Sequence, residues 1–167
     1  MPCLGVHFAL LPGDLERVRA AVGDDSTLLR LVHQDIEERH LGDHDRSFES
    51  DATWLAIHLR LTIGDAKESS EPEPWSRAVL DGTPLDSGDD DLMYLVDGEE
   101  LVQTATALRS LSKDDLPVRY DALEGWRHGI VKNEDAFAAT WEDFDGLRDF
   151  LERAANAGCP VFFTADR

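Results

Sequence analysis

Two histidines four residues apart, His40 and His44 in the stretch HLGDHD, would share one side of a helix with Asp43 and Asp45 beside them, the raw material of a zinc site. Gly42 weakens any helix between them, no Glu follows the first His, and no third ligand is suitably spaced, so a solvated polar turn without metal is expected. A second group, Asp51, His58, Ser76 and Tyr94, offers a carboxylate, an imidazole, a hydroxyl and a phenol to a hydrolase or transferase. Such sites are assembled in space and recognised by geometry. Asp51 and His58 cannot form a dyad on one helix, because seven residues span about 10 Å along its axis, beyond hydrogen-bond reach. His58 falls on an apolar face, where a buried imidazole bonded to a backbone carbonyl is expected.

Those residues must be positioned by a stretch from Asp51 to Gly82 with the densest apolar periodicity in the chain. Trp54, Leu55, Ile57, His58, Leu61 and Thr62 recur at spacings of three and four, predicting a helix that Gly64 and Asp65 end. Pro74 can open a second, shorter helix, with Trp75, Ala78, Val79 and Leu80 available to pack, closed by Asp81 and Gly82. Trp54 and Trp75 are expected to anchor the core and, in a binding protein, are candidate contact residues alongside Asp51, His58, Ser76 and Tyr94.

The pattern Asp51-x-x-Trp54-x-x-Ile57-His58-x-x-Leu61-Thr62, followed by Pro74-x-Ser76-x-Ala78-Val79 and Gly82, resembles the YfbM-like family of bacterial proteins of unknown function. Tyr94-Leu95, a helix over 101–111, Tyr120, and Ala154-Ala155 before Gly158 look like later landmarks of the same family, so the resemblance covers most of the chain. It implies a family and no activity.

The remaining elements follow from periodicity and turn residues. Residues 5–11, 92–96 and 161–164 are apolar at nearly every position, as strands covered on both faces are. Helices are expected from Leu15 to Val22, from Asp24 to Leu41, from Asp97 to Leu111, from Ser112 to Leu123, and from Thr140 or Asp143 to Gly158. Strand, glycine turn and acid-led helix occur twice, in FALLPGDL from Phe8 and YLVDGEEL from Tyr94. The expected architecture is α/β: one domain over residues 1–167, with a small mixed or parallel sheet sandwiched between helices in three layers. Cys3 and Cys159 both precede strands, so parallel neighbours would bring the thiols to the same end of the sheet.

Charge narrows the function classes. Against 16 Lys and Arg stand 35 Asp and Glu, a net charge of −19, which repels nucleic-acid phosphates and anionic membranes and attracts basic partners. No signal-peptide pattern or membrane span is present, so a soluble cytoplasmic protein is expected. No glycine-rich phosphate loop, G-x-S-x-G elbow or nucleotide fingerprint occurs, so no cofactor is expected and the balance tilts away from an enzyme. The preferred function is a binding module whose acidic loops, 67–73 and 86–91, with Trp75, dock a basic protein as immunity proteins do. The alternative is the small-molecule hydrolase or transferase built on Asp51, His58, Ser76 and Tyr94.

Overall fold

In the computed structural model, which describes residues 4–50, 53–62, 74–85, 91–115 and 133–166, the three apolar segments form strands β1 (Gly5–Ala9), β4 (Asp91–Val96) and β5 (Val161–Asp166). Two short strands, β2 (Ser47–Glu49) and β3 (Thr83–Pro84), complete a five-stranded sheet of order β2-β1-β5-β4-β3. Every neighbouring pair is antiparallel. This corrects the expected mixed or parallel sheet. The apolar run of a strand reports that both of its faces are covered, whatever its direction. The two echoing units do run parallel to each other, since β1 and β4 are both antiparallel to β5; β5 is inserted between them.

Antiparallel pairing also separates the cysteines' strands. Gly5 at the start of β1 faces Ala165 near the end of β5, and Ala9 faces Val161. The two strand starts therefore lie at opposite ends of the sheet, and Cys159 is a free, half-buried thiol. Cys3 lies outside the described residues.

Helices cover both sheet faces. On one, α1 (Pro12–Ala21) and α2 (Asp25–Leu31), which continues through a π-helix (Val32–Glu37) into α3 (Glu38–His40), bury Val18, Leu28, Val32 and Ile36 against Phe8, Met93, Leu95 and Phe162. On the other, α4 (Thr53–Thr62), a 3-10 helix (Pro74–Ala78), α5 (Gly98–Arg109) and α6 (Glu134–Ala157) pack on Ala9, Val96, Val161 and Phe163. Alternation along each strand sorts these residues between two cores.

Local chemistry sets the boundaries. Pro12 follows the end of β1 and opens α1 as its first residue, ahead of the expected Leu15, since a missing N–H costs nothing there. Asp24 caps α2 by accepting from the Thr27 N–H at 3.1 Å. The last helix begins at Glu134, ahead of the expected Thr140 or Asp143, because Asn133 caps it by accepting from the Ala136 N–H at 2.7 Å. It ends where Gly158 takes φ of 64°. The stretch from Pro74 is a 3-10 turn, tighter than the expected helix. Of the helix expected from Ser112, residues 116–123 lie outside the described residues.

His7 is the sheet's one fully buried histidine, at 0% exposure. Its Nε2 stands 2.8 Å from the carbonyl oxygen of Ala78, an acceptor only, so Nε2 carries the proton. The ring packs on Phe163 with centroids 4.6 Å apart, and Nδ1 is buried without a hydrogen-bond partner. Burial lowers the ring's pKa from 6.5 to about 4, only partly opposed by the hydrogen bond to Ala78. The 3-10 segment meets α5 where the Thr104 hydroxyl shares its one proton between the carbonyls of Pro74, at 2.9 Å, and Glu100, at 2.8 Å.

Two predictions follow from this packing. The unfolded chain binds a proton at His7 near pH 6.5 and the folded chain only near 4, so stability contributed by the neutral ring is full above 6.5 and falls as pH drops through that window. The loss is about 3 kcal/mol in total. Urea unfolding between pH 7 and 4.5 measures it, and His7→Gln, less stable at pH 7, should flatten the dependence; an unchanged slope would refute the assignment. The second concerns Gly5, where a Cβ would stand 2.5 Å from Trp54 Cδ1 and 2.9 Å from Trp54 Cβ. Gly5→Ala should cost about 1–3 kcal/mol by overpacking, and Trp54→Leu in the same chain should recover part of that loss in thermal melts.

Candidate functional site

The periodicity that predicts α4 also decides where its side chains go. Trp54, Ile57 and Leu61 turn inward, and the Trp54 indole lies 5.7 Å from the Phe163 ring, centroid to centroid. Trp54 is 6% exposed, a core anchor and no open contact residue. Thr53, at the start of α4, donates to Asp143 of α6 at 2.7 Å and fixes the two helices against each other. Asp51, just before α4, lies outside the described residues.

His58 is half-buried on α4, and its ring nitrogens make no hydrogen bond among the described residues, with Nδ1 buried and unpartnered. The bond to a carbonyl expected of it is made by His7 instead. Burial lowers the pKa of His58, and the negative charge of Asp81 works against that shift. Ser76 is 2% exposed within the 3-10 segment, where its carbonyl oxygen accepts from the Val79 and Asp81 N–H groups, both at 3.4 Å. Trp75 and Tyr94 are half-buried and pack against the same core as Trp54. The five described candidates thus share one side of the sheet, with Trp54 and Ser76 closed to solvent and His58, Trp75 and Tyr94 at intermediate depth.

Residues 41–45 of the HLGDHD stretch form the exposed polar turn expected, and only His40 is drawn inward from it. His40 is 8% exposed, and its Nε2 stands 3.5 Å from Asp14 Oδ2, while His44 is exposed. Asp14 is itself buried in the first turn of α1 and accepts from Arg39 Nη2 at 2.6 Å. Burial alone would raise its pKa, but the hydrogen bonds and charges of Arg39 and His40 outweigh it and hold the carboxyl below its usual range. Among the described residues no group of three or more His, Cys, Asp or Glu could hold a metal ion.

Asp14, His7 and Arg60, the last 1% exposed, are among the buried polar residues that sequence reasoning passed over. A signal existed for His7, the single polar side chain in the apolar run CLGVHFALL. Asp14 reads as a turn residue until its distant partners are known.

The Asp14 cluster is one case of a wider pattern. Arg17 pairs with Asp35, Arg19 with Asp97, Arg148 with Asp145, Arg109 with Glu152 at 2.6 Å and Arg77 with Glu100 at 3.9 Å. Positive charge is thereby consumed inside the molecule. Surplus carboxylates remain outside, most regularly on α6, where Asp135, Glu142 and Asp149 are exposed. Seven residues are close to two helical turns, so these carboxylates repeat about every 10 Å along one face. Such a row is a fixed, extended acidic surface.

Comparison with known proteins places the fold. The crystal structure of YfbM from Escherichia coli, a protein of unknown function, matches with a TM-score of 0.68 over 98% of this chain and 99% of that one, at 21% identity. Likeness at that identity speaks for the fold alone. Protein YfbM of Escherichia coli (strain K12) is 34% identical over 71 residues, which are 42% of this chain and 42% of that protein, so the aligned stretch spans less than half of the relative. A profile described as a domain of unknown function, DUF1877, matches residues 1–164. By that match over nearly its whole length, the chain belongs to the DUF1877 family, the YfbM-like proteins of unknown function.

Proposed function

We propose that this protein is a cytoplasmic bacterial binding module that docks a basic protein, in the manner of immunity proteins, through its acidic surface. One observation carries the proposal: six of the described arginines, among them Arg19, Arg39 and Arg109, are tied up in ion pairs, while Asp135, Glu142 and Asp149 stand exposed along α6. A regular row of like charges on a rigid helix costs some self-repulsion, which a cationic surface relieves on docking. The stretches 67–73 and 86–90, expected to contribute, lie outside the described residues, and Asp91 is half-buried with a carboxylate oxygen 3.9 Å from His33 Nε2. The docking face is therefore assigned to α6, with Trp75 retained as an aromatic contact. A hydrolase or transferase built on Asp51, His58, Ser76 and Tyr94 has less support, because the Ser76 side chain is closed off from an approaching substrate.

The test is a pull-down from the source cell at low and high salt, with wild-type protein and a Glu142→Lys, Asp149→Lys variant. Both sites are exposed, so each change should move stability by no more than about 0.5 kcal/mol. A basic protein should be retained at about 0.1 M salt and released toward 1 M, where the Debye length falls to about 3 Å. The variant should lose it. Recovery of no basic protein, or of one whose binding ignores the reversal, would remove the proposal.

A further inference from the structure

On the sheet face opposite α6, an open cleft of about 260 Å³ lies between α1 and the continuous α2 and π-helix. Its floor includes Ala21 and Leu31, both buried in the core beneath, and its walls carry Arg17, Thr27, Arg30 and Asp35. Three features set the cleft apart from the rest of this acidic surface.

The first is Arg30. It is exposed and makes no hydrogen bond or close ion pair among the described residues, feeling only the charge of Asp24 at longer range, in a molecule where six described arginines are paired with carboxylates. The second is Arg17, held across the cleft by Asp35 and lying 3.9 Å from Asp14, so that a second guanidinium is already oriented at the wall. The third is the π-helix, which supplies Asp35. Six residues of that geometry interrupt an otherwise continuous helical run, and π-turns, poorer in packing than α-turns, occur disproportionately at functional sites.

We propose that this cleft binds a short organic acid, its carboxylate paired with Arg30 beside Arg17 and its apolar body resting on Ala21 and Leu31. A guanidinium matches a carboxylate with two parallel N–H donors. The net charge of −19 opposes any anion, a phosphate dianion twice as strongly as a monoanion, so the local guanidiniums can hold a monocarboxylate more readily than a phosphate. The cleft is slightly smaller than the roughly 300–1,000 Å³ of drug-sized pockets, which restricts the ligand to a few carbons. Neither the position nor the chemistry depends on the acidic face of α6, so failure of one proposal leaves the other intact.

Amide chemical shifts of the protein titrated with hexanoate test it, with inorganic phosphate as the probe of charge alone and Arg30→Gln as the variant. Hexanoate should shift the amides of residues 17–35 to saturation, with a Kd on the order of millimolar, consistent with a few contacts in an open site. Arg30→Gln should weaken binding about tenfold, the loss of one charge-assisted contact. Arg46→Gln, whose arginine lies 3.6 Å from Cys159 Sγ and away from the cleft, should change nothing. Shifts that never saturate, an Arg30→Gln variant as good as wild type, or phosphate binding as tightly as hexanoate would each overturn the proposal.

Discussion

The hydrogen bond from the His7 ring to the carbonyl of Ala78 is the contact on which the architecture turns. It links β1, second in the order of the sheet, to the short 3-10 segment Pro74–Ala78. Thr104 of α5 meets the other end of that segment, so one strand and one helix hold it between them. A neutral imidazole is required. Charging the ring would place a cation, with a second N–H lacking any acceptor, among Phe48 and Phe163, and an interior of that kind cannot solvate it. The fold's central polar contact therefore exists in one protonation state only.

Elements whose signal is local were legible in the sequence. The periodicity of Trp54, Ile57 and Leu61 marks α4, and the apolar runs mark β1, β4 and β5. What depends on distant partners was not. Strand direction is invisible in a run covered on both faces, and strands as short as β2 and β3, at three and two residues, leave no alternation to detect. Residues 134–139 of α6, EDAFAA, carry one large apolar side chain, Phe137, too few to show a period; the Asn133 cap starts the helix there.

The candidate site was legible in part. Sequence spacing placed His58, Trp75 and Tyr94 on elements that the structure sets over the same core. Depth was beyond it, because whether a serine or a tryptophan reaches solvent depends on what packs over it. The roles of the two histidines were exchanged for a similar reason: a carbonyl 71 residues away binds His7 Nε2, while His58, on the better helical pattern, has no ring partner among the described residues. Charge was the most readable property and the least specific, since composition counts carboxylates without saying which ones are spent on arginines.

The sheet's borders have a consequence for how other molecules can approach it. An open strand edge is a template on which a foreign strand can add itself through backbone bonds. Here one border strand is three residues long and ends in exposed Glu49, and the other is two residues long and contains Pro84, which has no N–H to offer. Among the described residues, backbone-mediated growth of the sheet, whether as recruitment or as fibre formation, is disfavoured at both borders. At these two borders, recognition of a companion therefore falls to side chains.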